Sequence, residues 1–371
     1  MSDQNSVVKL AEELVSINSQ RPEESEGKVA QFIFDYLIKI GLKPEKQFLN
    51  EKENRFNVIV FGSNNANLMI NVHLDTVSIN DPKTWKHNPF GELADGKLYG
   101  RGSADTKGHA ACLLAAMTES FNKNVVYIFN VEEELSMGGI KKVLELRKTK
   151  LKDIKYSISL EPTDGKIMRG NKGQYAFEVT ANGKTAHGSQ PQLGDNAIYK
   201  LAEAVGRIEN YNTSLNKITH PFFGHATANV GVIHGGNAPN VVPDLAIIQV
   251  DRRVLPSENP KDVEQQFRKL LSPLEVKFIN RVEACETPAD SKIVKEMQNV
   301  LLGFSMDVEA YGFTATSELS EIRASGVEGI IFGTGQLDQA HKHDEYMTIE
   351  QLKIGKDILS ALLKRWKNGN Q

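Results

Sequence analysis

Cysteine is nearly absent. Cys112 and Cys285 are the only two in 371 residues, too few for a disulfide framework or a thiolate metal site. No long apolar run occurs either: the longest, residues 110–117, has eight residues, far short of the roughly 20 that a membrane span needs. Neither sign of charge dominates, with 44 basic residues against 47 acidic and a net charge of −3. That balance leaves no electrostatic footprint for nucleic acid or an anionic membrane. The first five residues, Met1-Ser2-Asp3-Gln4-Asn5, lack the basic and apolar regions of a secretory leader. Tandem repeats and low-complexity linkers are missing as well. What remains is the usage of a globular chain, 40% hydrophobic and 25% charged. The expectation is a soluble, cytoplasmic protein without nucleic-acid or membrane partners, long enough for two domains.

Hydrophobic spacing supplies the organisation. Val29, Phe32, Ile33, Tyr36, Leu37 and Ile40 form one face of a helix that Gly41 ends, and residues 7–17 carry a similar stripe. Short apolar runs at 56–60, 68–72, 125–131 and 156–160 read as strands, with helices expected at 109–120 and 139–148. This alternation argues for an α/β domain around a mostly parallel sheet. After about residue 172 the rhythm changes. A strand at 174–181, a helix at 196–208, strands at 226–233 and 245–254, a helix at 262–271 and a strand at 274–279 follow. That β-α-β-β-α-β order is the pattern of a ferredoxin-like unit. Helices near 293–302 and 349–366 and a strand at 329–332 return to the first pattern. The expected architecture is therefore an α/β domain, residues 1–171 and 281–371, interrupted by an inserted α+β domain, residues 172–280.

Polar clusters sit where the strands end. The strand at 68–72 runs into His73-Leu74-Asp75, that at 125–131 into Glu132-Glu133-Glu134, and that at 156–160 into Glu161-Pro162. Ligands of open α/β sheets bind outside the carboxyl ends of the strands. Two more clusters accompany these, Gly102-Ser103-Ala104-Asp105-Thr106-Lys107-Gly108 before a helix and Ala340-His341-Lys342-His343-Asp344-Glu345 after the last strand. Converging carboxylates repel one another, and a divalent cation removes the conflict. Histidine and carboxylate donors without thiolates suit zinc, cobalt or manganese. Five ligands with one bridging carboxylate would hold two metals. Asp75 is placed to orient the imidazole of His73, and the second carboxylate of a pair such as Glu133-Glu134 is placed to act as general base. Any single cluster reads equally well as a capping or surface feature. The ordered set carries the argument.

These segments together resemble the di-zinc deacylase and aminopeptidase family: Asn71-Val72-His73-Leu74-Asp75-Thr76-Val77, Gly100-Arg101-Gly102-Ser103-Ala104-Asp105, Glu132-Glu133-Glu134, Glu161-Pro162-Thr163 and Ala340-His341-Lys342-His343-Asp344-Glu345. The resemblance spans nearly the whole chain. It implies a catalytic α/β domain with an inserted lid and dimerisation domain, and a homodimer. By position it implies one metal on His73, Asp105 and Glu161, and a second on Asp105, Glu134 and His341, with zinc as the expected ion. It implies Glu133 as the base. From Thr185-Ala186-His187-Gly188-Ser189 it implies His187 as a donor to the oxyanion in the partner subunit's site. Asn240 and Arg253 match the family's substrate-binding Asn and Arg, Arg253 better than its neighbour Arg252. Two departures stand out: His343 replaces a usual proline, and Glu132 a usual aspartate.

Within the family the resemblance is closest to deacetylases of N-acyl amino acids, with N²-acetylornithine, a step of arginine biosynthesis, as the implied substrate. Glu318, in Thr316-Ser317-Glu318, is expected to meet a cationic substrate amine, the plain alternative being a solvated helix residue. N-Acetylcitrulline, N-succinyl-diaminopimelate and peptides with a free amine are the competing substrates. A non-catalytic, metabolite-binding homologue is the alternative from another class, opposed by the completeness of the ligand set.

Overall fold

The computed structural model describes residues 6–22 and 25–367. Residues 1–5, read above for a leader, lie outside the described residues. The chain divides into two compact units, one of Met1–Gly170, Thr287–Tyr311 and Ser317–Gln371, the other of Asn171–Glu286 and Gly312–Thr316.

In chain order the first stretch carries α1 (Ser6–Ser16), α2 (Gly27–Lys39), β1 (Glu45–Asn50), β2 (Arg55–Val60), β3 (Leu68–His73), α3 (Lys107–Ser120), β4 (Val125–Asn130), α4 (Gly138–Leu144), β5 (Tyr156–Leu160) and β6 (Ile167–Asn171). The middle carries β7 (Gly173–Asn182), α5 (Ala197–Leu215), β8 (Thr227–Gly235), β9 (Leu245–Val254), α6 (Pro260–Leu271) and β10 (Glu275–Val282). The last stretch carries α7 (Lys292–Leu302), α8 (Leu319–Ala324), β11 (Glu328–Phe332) and α9 (Ile349–Arg365).

In the first unit the strands lie in the order β1-β2-β4-β3-β5-β11-β6. The centre of this sheet, β4-β3-β5-β11, is parallel, and β1, β2 and β6 flank it antiparallel. Strands β2 and β3 are buried along their whole length, as continuous apolar strands covered on both faces must be. Helix α3 is buried from Lys107 through Met117 and packs against α1 and α9. A helix apolar all round belongs inside a core. Gly41 has a φ of +84°, a left-handed conformation that ends α2 without the strain a side chain would bring. Helix α9 starts on a capping box: Thr348 accepts the Gln351 amide at 3.0 Å while the Gln351 side chain accepts the Thr348 amide at 2.9 Å.

In the second unit four antiparallel strands lie in the order β8-β9-β7-β10, the ferredoxin-like arrangement that the β-α-β-β-α-β pattern implied. Its core is built on Phe177, Leu201, Ile248 and Phe267, all essentially inaccessible.

Several elements escape the hydrophobic pattern. Strands β1 and β6 and helix α8 are not expected from it. Nor are the short strands Glu92–Ala94, Lys97–Tyr99 and Tyr346–Thr348, which pair into a small antiparallel sheet. Each is short or half exposed, so its register comes from its neighbours. The helix expected at 139–148 is α4 followed by a tighter turn, Glu145–Lys148, and the helix expected at 196–208 continues to Leu215. Among the described residues no helix is long and apolar enough to cross a membrane.

Trp366 closes the first unit behind α9. Its indole N–H donates to Asn67 Oδ1 at 2.9 Å and its ring meets Tyr156 edge-on at 5.6 Å. Replacing it by alanine (Trp366→Ala) should cost about 3–5 kcal/mol, read as a lowered urea midpoint for this unit. A midpoint within experimental error of the parent's would show that α9 is held elsewhere.

Candidate metal centre

The parallel centre of the sheet delivers the polar clusters to one edge. His73 ends β3, opposite Asn130 at the end of β4, and Phe332 of β11 lies opposite Leu160 of β5. The turns that follow therefore emerge side by side. His73 Nε2 lies 3.1 Å from Asp105 Oδ1 and 3.9 Å from Glu161 Oε1. His341 Nε2 lies 3.4 Å from Asp105 Oδ2 and 3.3 Å from Glu134 Oε1. Asp105 thus has one oxygen toward each histidine, the position of a bridge. Donor atoms of His73, Asp105 and Glu134 all fall within 4.8 Å of one another.

Two buried carboxylates hold this edge in place. Asp75, fully buried, accepts the amides of Glu133 at 3.0 Å and Glu134 at 2.9 Å, one on each oxygen. The His73 ring is oriented chiefly by the main-chain carbonyl of Asp75, 3.0 Å from Nδ1, with the Asp75 carboxylate at 3.6 Å. Glu345, also fully buried, accepts the amides of Gly102, Ala104 and Asp105 on Oε1 at 2.9–3.1 Å, and Arg101 Nη1 on Oε2 at 2.6 Å. One carboxylate therefore ties the loop of Asp105 to the segment that carries His341.

The electrostatics of the cluster call for a cation. Among the described residues no Lys or Arg pairs with Asp105, Glu133, Glu134 or Glu161, and no protein donor bonds the carboxylates of Glu133 and Glu161. Burial, then the repulsion of neighbouring carboxylates, holds Glu133 and Glu161 well above the ordinary carboxyl range. Burial raises Glu134 as well, against the bond from His341. Burial opposes protonation of His73, but Asp105 and Asp75 outweigh it and raise its pKa well above normal. The bonds to Asp105 and then Glu134 raise His341 to about 10. Hence, without a cation, protons shared between histidine and carboxylate stand in for positive charge. Imidazole and carboxylate donors with empty coordination capacity fit one or two divalent ions.

The neighbours of the cluster distinguish residues that the sequence leaves alike. Glu132 is paired with Arg55, so the carboxylates of the triplet that remain for the cluster are those of Glu133 and Glu134. His343 packs edge-on to Trp85 at 6.0 Å, whereas His341 faces Asp105 and Glu134. One expectation is corrected. Glu318 neither faces a ligand nor lies in solvent: it is 1% exposed, and its two oxygens accept the side-chain amides of Asn71 at 2.7 Å and Asn130 at 2.6 Å. Burial lifts its pKa to about 7. Asn71 and Asn130 point inward from strands the sequence marks as apolar, a signal visible only as two polar residues within buried runs. The part played by Glu345 is equally hidden, since nothing in a sequence tells an anchoring carboxylate from a ligand.

Three expected residues belong to the second unit. His187 is exposed and pairs with Val241 across a short antiparallel bridge, which brings it beside Asn240, also exposed. Gly188 allows the approach: a Cβ there would stand 2.9 Å from the Asn240 carbonyl carbon. The His187 Nδ1 accepts the Ser189 amide at 3.2 Å, which leaves the ring proton on Nε2 of the neutral ring. Arg252 is inaccessible and committed to Glu258 and the Arg253 carbonyl. Arg253 is half buried and lies against Asp251, Nε to Oδ1 at 2.8 Å and Nη2 to Oδ2 at 3.0 Å.

A sequence profile of peptidase family M20/M25/M40 matches residues 69–365. The chain belongs to this family. As a member it is a hydrolase acting on amide bonds. An acetylornithine deacetylase from Edwardsiella ictaluri is 27% identical over 367 residues, covering 94% of this chain and 93% of its own. Another from Myxococcus xanthus is 29% identical over 291 residues, covering 74% of each. Among solved structures, a tripeptidase from Staphylococcus aureus superposes with a TM-score of 0.79 at 22% identity, over 98% of both chains. A Bacillus subtilis structure described as a dinuclear metal-binding peptidase of the M20 family superposes with a TM-score of 0.71 at 15% identity, over 97% of both.

Because the bonds to Asp105 and Glu134 raise the pKa of His341 to about 10, a metal taken up on His341 would displace its proton. Zinc binding to the metal-free protein between pH 6.5 and 9.5 should release protons and tighten as pH rises, read by titration calorimetry in buffers of different ionisation heat. A pH-independent affinity would remove His341 from the ligand set. The same raised pKa stabilises the metal-free fold below pH 6.5, a contribution lost as pH rises through about 10. Glu345→Ala should lower the metal stoichiometry by loosening Asp105, whereas full occupancy would show that the loop holds itself.

Proposed function

We propose that this protein is a di-zinc deacetylase of N-acyl amino acids, with N²-acetylornithine as substrate. The observation that carries the reading is Glu133: a carboxylate without a protein donor, raised in pKa by burial, beside a cluster of histidines and carboxylates with which no Lys or Arg pairs among the described residues. The relatives named acetylornithine deacetylase, at 27–29% identity, support the family, and the acetyl group and ornithine are our choice of substrate within it.

In this reading His73, Asp105 and Glu161 hold one ion, and Asp105, Glu134 and His341 hold the other. When bound, the ions polarise the acyl carbonyl and make water a nucleophile near neutral pH. Glu133 takes a proton from the attacking water as its oxygen bonds to the acyl carbon. It then delivers that proton to the amide nitrogen as the C–N bond breaks, and the acid's remaining proton passes to the amine, releasing acetate and the ammonium form of the amino acid. A base of raised pKa suits both halves of that task. By the same resemblance His187 would hydrogen-bond, through its Nε2–H, the oxyanion that develops in the partner subunit's site. Arg253 and Asn240 receive the substrate, the guanidinium meeting the α-carboxylate, for which its fork is shaped. We assign the enzyme to the cytoplasm, as its composition led us to expect, and to a homodimer, as the resemblance implies.

The test is amine release by metal-stripped and then zinc-reconstituted protein from N²-acetylornithine, N²-acetylcitrulline, N-succinyl-diaminopimelate and a dipeptide with a free amine. Metal-dependent turnover led by N²-acetylornithine supports the reading. Preference for another acyl substrate replaces the substrate, turnover of the dipeptide alone makes the protein a peptidase, and no metal uptake sinks the mechanism. Glu133→Gln should keep its zinc and lose about 10²–10⁴-fold in kcat. Near-normal turnover would remove Glu133 as the base. Arg253→Ala should raise KM with kcat little changed, and an unaltered KM would place carboxylate recognition elsewhere.

A further inference from the structure

Glu133 leaves β4 on a turn fastened from two sides. On one side Asp75 accepts the amides of Glu133 and Glu134. On the other, the preceding residue is held by a second pair of groups that belong to no ligand or base. The Glu132 amide donates to Glu26 Oε1 at 3.1 Å, and its carboxylate pairs with Arg55. Arg55 in turn donates to Glu26, Nε to Oε2 at 2.9 Å and Nη2 to Oε1 at 3.4 Å. Arg21 Nε stands 3.7 Å from the same Glu26 oxygen. Glu26 is fully buried just before α2, and Arg55, 6% exposed, opens β2.

Two features make this more than a fastening of α2 to β2. A buried ion pair seldom stabilises a fold more than apolar packing would, so its place next to the base needs another reason. Glu132, moreover, has a φ of +64°, a left-handed conformation unfavourable for a residue with a side chain. That conformation turns the chain so that Glu132 faces Arg55 while Glu133 and Glu134 face the other way. The Ser136 hydroxyl, donating to Glu132 Oε1 at 2.5 Å, and the Gly138 amide, donating to the Glu132 carbonyl at 3.1 Å, complete the hold. All three amides of the triplet thus end on buried carboxylates, and among the three side chains only that of Glu132 is clamped by an arginine.

We propose that Glu26 and Arg55 are positioning residues that lock Glu132 in its left-handed conformation and thereby aim Glu133 at its substrate. The proposal rests on Glu133 as the base. Neither residue touches the reacting atoms. Their effect is on where the base stands, and a displacement of about 1 Å can cost as much as about 10²-fold in rate.

The test uses Arg55→Met, Glu26→Gln, Arg55→Lys and Glu132→Gln, the last leaving the Glu26–Arg55 pair intact should the others fail to fold. In zinc-loaded protein, Arg55→Met and Glu26→Gln should lower kcat about 10–100-fold with KM and zinc content near the parent's, and Arg55→Lys should recover part of the loss. Glu132→Gln should move kcat in the same direction by less. In metal-free protein, amide hydrogen exchange should quicken across residues 131–137 and stay unchanged in β3 and β5. A folded variant with parental kcat and parental exchange in 131–137 overturns the proposal. So does faster exchange along the whole chain with zinc lost in proportion, the mark of a merely structural pair. If Glu133→Gln retained turnover, the reading of the base would fall, and the exchange experiment would still decide whether the clamp holds the turn.

Discussion

Crowded negative charge at one edge of the sheet is the constraint around which the first unit is built. Asp105, Glu133, Glu134 and Glu161 come together with no Lys or Arg among them. A fold that gathers unpaired carboxylates opposes its own stability, because burial disfavours their charge and each raises the pKa of the next. The histidines relieve part of this by holding protons, and divalent ions relieve more. A cation bound at the cluster would balance the carboxylates' repulsion, so that its binding energy would add to the stability of the fold.

Such an arrangement persists only if its backbone cannot relax. The devices that hold it share one physical idea, a buried carboxylate that collects main-chain amides. Asp75 collects two, Glu345 three, and Glu26 one. An amide bonded to a charged acceptor is held more firmly than one bonded to a neutral group. The acceptors lie on different elements from the amides they hold, so the ligand loops are tied to each other as well as to the sheet. Glu318 repeats the theme one layer below, gripping the side chains of Asn71 and Asn130 near the ends of β3 and β4. The acidic residues therefore divide into those that face the cluster with at most a histidine as partner and those that are held by several donors, a division of chemistry among residues of one type.

The second unit obeys different rules. Its sheet buries one face on α5 and α6, and of the residues expected at a site His187 and Asn240 lie on exposed segments while Arg253 lies on a strand of the sheet. His187 and Asn240 are brought together by a two-residue bridge and a glycine contact. Arg252 and Arg253, adjacent in sequence, part because successive residues of a strand point to opposite faces: one is consumed by Glu258, the other lies half open beside Asp251. Membership of the M20/M25/M40 family makes the chain a hydrolase of amide bonds.

By itself the sequence determined the strands that carry the site and the residue types that end them. Continuous apolar runs at β2 through β5 can only be buried parallel strands or their neighbours, and a polar cluster directly after such a run must emerge at the strand's carboxyl end. The order β-α-β-β-α-β likewise forces the antiparallel second sheet. Only the tertiary structure decided which acidic residues face the cluster and which anchor it. Glu132, Glu318 and Glu345 are indistinguishable from Glu133, Glu134 and Glu161 in a one-dimensional reading, because a carboxylate's role depends on which donors reach it. Those donors, Arg55, Asn71, Asn130, and the amides of 102–105, lie tens to hundreds of residues away. The short edge strands stayed illegible for the same reason: too short to show a period, they are placed by partners rather than by their own pattern.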